Sequence, residues 1–539
     1  MTYTSYKYLL FVGALVFLYY IIPNKFKKFQ WVLLLIANYI FYYLNGVPQI
    51  IFIVASTALT YGSTMLMQKL RNDNNARVLA LGEDVTREQK REFKKQTQAK
   101  IKKVQVATIA LHLIVLAVVK YTNVTITNAN TILDAFKVGW DIPHVSMIVP
   151  LGISFYTFAS LSYILDVARG KYEPERNFFK VALFVSYFPN IVQGPICRFD
   201  EVGTQLIAEH HFDYDRFVHG AELVLWGFFK KLVIADRANM VLPNVFSASV
   251  YEQNTGSQFI FGIVFAFIHL YADFSGGIDI TRGVSEILGT DLPLNFERPL
   301  YSQSLGEFWR RWHMTLGGFM RDYVFYPVML SKPVLKLSQK ANKKWGKFAG
   351  KMVPSVITPA VVFFLMGIWH GASYQYLLYG VYNAFMVSSA VAFDGLFKKM
   401  KKALRINDQA YSYKLFCMFR VFCITSVSRL IVNAPSIKGL GFIIKSMFTN
   451  LNPDFFFNLD GKLFTMGVDA KNMLILFLAI IIFATVSILQ EHGMHIRDSL
   501  NKQNIVFKWF ILISLFVIVL IFGIYGRGYD AASFLYQAF

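Results

Sequence analysis

A chain of 539 residues that is 55% hydrophobic, 17% aromatic and only 16% charged carries more apolar surface than a soluble core accommodates. The net charge of +21 is no nucleic-acid signature, because the Lys and Arg residues fall in loops between apolar runs. Composition therefore excludes a soluble enzyme and a nucleic-acid partner, and predicts an all-α polytopic protein with the lipid bilayer as its surroundings.

Apolar runs approaching the roughly 20 residues of a membrane span occur, in chain order, at Tyr8–Ile22, Trp31–Leu44, Ile50–Met67, Val104–Val119, Val145–Leu165, Leu223–Ile234, Phe259–Tyr271, Val353–Trp369, Tyr376–Phe393, Leu415–Val432, Met473–Leu489 and Phe507–Tyr525. They predict about 11–13 transmembrane or re-entrant helices. Lys25, Lys27 and Lys28 follow the first run, and a basic segment, 69–103, follows the third. Positive charge collects on the cytoplasmic side, so both are predicted cytoplasmic, with the N-terminus and the Thr122–His144 loop extracytoplasmic. The composition of 69–103 reads as an amphipathic or solvated helix at an anionic membrane surface. Pro189 and Pro195 in FPNIVQGPI predict a re-entrant turn. The first run lacks a small-residue cleavage site, so no cleavable signal peptide is expected. Without internal repeats or low-complexity linkers, residues 1–539 read as a single integral membrane domain. Cys197, Cys417 and Cys423 have no CxxC spacing and read as core thiols.

Histidine is the residue type that carries chemistry here. His210, His211 and His219 lie in IAEHHFDYDRFVHG, and His492 and His495 in QEHGMHIRD; no carboxylate or cysteine cluster completes a coordination set, so no metal is expected. His112 and His269 sit on apolar runs and read as hydrogen-bonded within a bundle. His313 lies in SLGEFWRRWHMTLGGFMRDYVFYP, where helical spacing puts Trp309, His313, Leu316 and Met320 on one face. Two readings stand: an interfacial helix with snorkelling arginines, or a cavity wall reached from the cytoplasm, where Arg310 and Arg311 meet the phosphates of an activated donor. Asp322 follows Arg321 directly and reads as a partner for a nearby cation.

His370 lies in FFLMGIWHGASYQYLLYG, between Gly367 and Gly371. An ionisable ring at membrane depth is costly unless satisfied, so it reads as functional. The flanking glycines predict a broken or closely packed helix and an aqueous pocket, in which neutral imidazole accepts a proton. No Walker loop, dinucleotide fingerprint or G-x-S-x-G elbow is present, so phosphoryl transfer, hydride transfer and serine hydrolysis lack their apparatus. What remains is general-base catalysis, in which a histidine takes the proton of an acceptor hydroxyl as that oxygen attacks a thioester carbonyl. The competing class is a transporter or flippase. Against it, the halves are not similar, and the segments lack the intramembrane carboxylates that ion coupling needs.

Several stretches together resemble the membrane-bound O-acyltransferase (MBOAT) family, in its bacterial alginate O-acetylation-like branch. They are VPLGISFYTFASLSYILDVARG (149–170), SYFPNIVQGPICRF (186–199), GFFKKLVIAD (227–236), YADFSGGIDI (271–280), NFERPLYSQSLGEFWRRWHMTL (295–316) and MGIWHGASYQYLLYG (366–380), with a weaker echo in the closing SFLYQAF (533–539). The core carrying them is 149–380; the N-terminal third and the stretch 401–520 add mainly hydrophobicity.

The resemblance implies tilted helices around a central channel, with His370 as the family's catalytic histidine and His313 as its second active-site position. Trp309, Arg310, Arg311 and Trp312 become candidate substrate-binding residues. So do Tyr156, Gln193, Asp273 and Asn383, for which hydrogen bonding between helices is the alternative. The donor is implied to be acetyl-CoA, a substrate rather than a bound cofactor, entering from the cytoplasm. An extracytoplasmic SGNH-type acyltransferase partner would then deliver the acyl group to a cell-surface polysaccharide. In the related D-alanyl branch a carrier protein presents the thioester for transfer to teichoic acid. The implied location is the bacterial cytoplasmic (inner) membrane. One departure stands out: alginate-type members continue with a Gly-Gly-x-Arg turn where this chain has YPVMLSKPVLKLSQKANKKWGKF. Chain length favours the acetylating branch.

Overall fold

The structure, a computed structural model, describes residues 2–81, 86–146 and 150–525, so the closing SFLYQAF motif lies outside the described residues. Each predicted apolar run falls largely on helix, except that the described residues of Val145–Leu165 before Ile153 and those of Phe507–Tyr525 after Phe522 are not helical; no strand forms among the described residues. Seven helices are long and apolar enough to cross a membrane, or up to eight if a bent pair is one span. The protein is an all-α polytopic membrane protein. Its contacts divide it into two compact units, Met1–Phe217 with Val284–Leu292 and Val218–Gly283 with Pro293–Phe539.

In the first unit, α1 (Tyr6–Ile21) and α2 (Gln30–Asn45) have 16 residues each, while α3 (Val47–Ala80) has 34 and α4 (Arg87–Ala135) has 49. A reciprocal capping box, Thr86 with Gln89, starts α4. The loop expected from Thr122 is instead helical as far as Ala135. Thr122, Thr127 and Thr131 bond the carbonyls of Val118, Asn123 and Thr127 at 2.7, 3.0 and 2.9 Å, so their hydroxyls fold back onto the helix rather than competing with it. At about 1.5 Å per residue α4 is roughly 74 Å long, more than twice a hydrocarbon layer, so its basic start and its Thr-rich end both project beyond the apolar middle. His112, inside α4, bonds Thr108 O at 2.9 Å and Thr60 Oγ1 at 3.3 Å, the bundle role read from sequence. The buried interior comes from α5 (Ile153–Arg169), α6 (Phe178–Ser186) and the single-turn-and-a-half α7 (Phe188–Gln193), which Pro189 opens.

The second unit holds most of α8 (Tyr214–Phe228), which continues into a π-helical stretch, Phe229–Ala235, and most of α9 (Gly256–Ile287). Neighbouring residues of an α-helix point about 100° apart. Here the adjacent Lys230 and Lys231 both reach α9, binding Asp279 at 2.7 Å and Asp273 at 2.6 Å. Two short helices follow, α10 (Leu305–Arg311) and α11 (Met314–Met320). The long α12 (Lys332–His370) is kinked at Gly346, where φ is +85°, so a basic first half meets an apolar second half at an angle. Its partner α13 (Tyr374–Ala392) bends by 57° into α14 (Asp394–Ala403). Then come α15 (Tyr411–Asn433), α16 (Ala470–Glu491) and α17 (Ile505–Phe522). α12 and α13 approach so closely that a Cβ on Gly367 would lie 2.5 Å from Tyr376 O, and one on Gly380 2.6 Å from Phe363 O.

Candidate active site

The helix expected through Trp309, His313, Leu316 and Met320 is broken at its middle. Trp312 is extended (φ −108°, ψ 125°) and His313 left-handed (φ 47°, ψ 53°), so these four residues do not share one continuous helix face. The break has a cause in NFERP: this segment runs antiparallel to the break, with Phe296 bridging Trp312, Glu297 N bonding Arg311 O at 2.9 Å and Met314 N bonding Asn295 O at 3.0 Å. A left-handed backbone costs a non-glycine residue roughly 1–2 kcal/mol. Such strain persists where the surroundings over-determine it, and it gathers at functional positions. The buried His313 ring meets Phe274 of α9 edge-on, centroids 4.8 Å apart at 90°, and its Nδ1 lies 3.1 Å from Asn295 Oδ1.

His370 is the last residue of α12, and Gly371 after it is extended, so a helix ends at the ring and the next begins at Tyr374. Three aromatic rings hold it. Trp369 is 4.6 Å away between centroids, Tyr376 stacks at 6.1 Å and 21°, and Tyr379 stands edge-on at 5.6 Å. Trp369 also reaches His313, at 6.4 Å.

Both histidines line one cavity of about 640 Å³. That is the size of a small-molecule pocket. Its wall includes Trp309, Arg310 and Trp312 from the first motif, Tyr376 and Tyr379 from the second, and Ser428 and Arg429 from α15. Aromatic faces, two imidazoles and the guanidinium groups of Arg310, Arg321 and Arg429 thus line the same space, a setting that suits an acyl chain with an anionic handle.

The other candidates have different surroundings. Arg311 is not on this wall: it binds Glu307 at 2.8 Å and Glu491 at 3.0 Å, and Arg298 joins Glu491 at 2.6 Å. Asp273 is buried against Lys231. Asn383 donates to Tyr379 O at 2.9 Å and accepts from Ser428 at 3.3 Å, one residue behind the wall. Tyr156 lies in the first unit, on a separate cavity of about 20 Å³ that also contains Cys197, and Gln193 is buried at the end of α7. Asp322 pairs with Arg321 at 2.9 Å, its immediate neighbour. His269 bonds Ala235 O at 3.1 Å, a structural role. Sequence reading passed over Asn295 and Arg429. The second carried a signal, a cation inside the apolar run Leu415–Val432; the first carried none, because an asparagine before an extended stretch is ordinary.

Comparison with known proteins bears on this arrangement. Residues 173–342 match the model of MBOAT, the membrane-bound O-acyltransferase family; the matched segment includes His313 and stops within α12, short of His370. The chain is 28% identical over 443 residues to the probable alginate O-acetylase AlgI of Pseudomonas syringae pv. tomato, covering 82% of this chain and 73% of that protein. It is 31% identical over 262 residues to the teichoic acid D-alanyltransferase of Bacillus subtilis, covering 48% and 63%. With the peptidoglycan O-acetyltransferase of Helicobacter pylori it shares 28% identity over 313 residues, 52% of this chain and 54% of the other. The chain thus carries a membrane-bound O-acyltransferase domain and is a multi-pass membrane O-acyltransferase.

Proposed function

We propose that this protein moves an acetyl group from cytosolic acetyl-CoA to a hydroxyl of an extracytoplasmic polysaccharide, in the bacterial cytoplasmic membrane, with an extracytoplasmic SGNH-type partner completing delivery. The observation that carries this reading is the shared cavity: two imidazoles, Arg310 and an aromatic wall face one space of about 640 Å³. The relatives named alginate O-acetylase and peptidoglycan O-acetyltransferase support acetyl as the acyl group.

In this reading His370 accepts the proton of the acceptor hydroxyl, and the oxygen attacks the thioester carbonyl. The tetrahedral adduct collapses, the C–S bond breaks, and the thiolate leaves, taking up the proton as free thiol. An ester replaces a thioester, and no oxidant or metal enters the balance. His313 lines the same cavity as the second imidazole, and Arg310 meets the donor phosphates.

The similarity to a teichoic acid D-alanyltransferase favours a second reading, D-alanyl transfer from a carrier-protein thioester. One experiment separates the two. Membranes bearing the protein are given acetyl-labelled acetyl-CoA or a D-alanyl carrier thioester, and alkali-labile label on surface polymer is counted. Label from acetyl-CoA is expected; label from the D-alanyl thioester alone would overturn the acetyl reading.

A further inference from the structure

We propose that Asn295 is a positioning residue that fixes the tautomer of His313, an inference that rests on His313 taking part in acyl transfer as read above. Asn295 is wholly buried, and its side-chain oxygen takes three contacts: Thr315 N at 3.1 Å, Thr315 Oγ1 at 2.9 Å and His313 Nδ1 at 3.1 Å. The first decides the chemistry. A backbone N–H can only donate, so the amide atom facing it is oxygen. An oxygen facing His313 Nδ1 accepts, so Nδ1 carries the proton and the proton-accepting lone pair belongs to Nε2.

Backbone and rings lock this choice. Met314 N bonds Asn295 O at 3.0 Å, so the chain that bears the amide is tied to the residue after His313. Phe274 stands edge-on to the ring at 4.8 Å, which opposes the ring flip that would exchange the two nitrogens. The amide nitrogen of Asn295 has no hydrogen-bond partner among the described residues. A buried orphan donor costs about 1–3 kcal/mol. A side chain kept only as helix glue would avoid that cost, whereas one kept for its oxygen tolerates it. Asn295 touches His313 and acts through it.

The test measures acetyl transfer from acetyl-CoA to surface polymer in membranes of the full-length protein. Asn295→Ala is expected to lower kcat at least tenfold while KM for acetyl-CoA stays within about threefold, the signature of a lost transition-state contribution. Asn295→Asp, whose carboxylate accepts the same Nδ1 proton, is expected to recover most of kcat. In a His313→Ala background, Asn295→Ala is expected to add no further loss. Wild-type kcat in Asn295→Ala, or equal loss in the alanine and aspartate variants, would overturn the inference. If Asn295→Ala does not accumulate in membranes, Asn295→Leu keeps the volume, removes the acceptor and carries the same expectation. Wild-type activity in His313→Ala would instead remove the catalytic reading beneath it, so the two failures are distinguishable.

Discussion

Lys231 answers two carboxylates at once, Asp236 at 2.8 Å and Asp273 at 2.6 Å, with all three side chains at most 3% exposed. Removing the cation leaves two buried anions, and breaking a buried pair in this way costs about 3–5 kcal/mol. Lys231→Met should therefore fail to accumulate as folded protein, or melt well below wild type in detergent; an unchanged melting temperature would show the network to be dispensable. The adjacent arginines of the Trp-Arg-Arg-Trp stretch divide in a way that spacing alone did not reveal. Arg310 faces the cavity, whereas Arg311 is held by Glu307 and Glu491. A hydrogen bond to a charged group contributes about 1.5–3 kcal/mol, so Arg310→Ala should raise KM for acetyl-CoA at least about tenfold. Arg311→Ala should leave that KM within about threefold, because its partners are protein carboxylates that are partly exposed and contribute little individually. Equal effects would contradict the division. His370 was legible because an imidazole flanked by glycines in apolar text is costly; Asn295 was not, because only the folded chain brings it to His313.

Helices were easy to find and hard to end. α4 runs through Thr122 because threonine hydroxyls can bond back to their own helix, a choice that composition does not reveal. The break at Trp312 is the opposite case. FWRRWHM has helical spacing, yet the antiparallel pairing with Asn295–Glu297 wins, a contact some 15 residues away that a periodicity count does not see. The α12–α13 pair could be anticipated from Gly367, and the structure supplies the reason in its contact with Tyr376 O. Gly367→Ala would push a methyl group to 2.5 Å from that carbonyl, forcing the helices apart at a cost of about 1–3 kcal/mol. Lower thermal stability in detergent, with reduced acyl transfer because His370 lies three residues on, is the expected result. Wild-type stability would mean the helices separate freely.

At the scale of the molecule, apolar content and run length were enough to establish a polytopic helical protein, and the coincidence of several motifs pointed to its family. Charge predicts the side on which these segments lie, the basic 69–103 segment cytoplasmic and the residues after α4 extracytoplasmic. In a background lacking the three native cysteines, a membrane-impermeant maleimide applied to intact cells should label Asp141→Cys and spare Lys94→Cys; the reverse pattern would invert the topology. The central claim is that His370 is the base for acyl transfer. Its most direct test is the O-acetyl content of surface polymers from cells expressing wild type or His370→Ala at equal membrane levels, with matched melting temperatures in detergent. Acetylation in the His370→Ala strain is expected to fall to the level of cells without the protein. Equal acetylation in the two strains would contradict it.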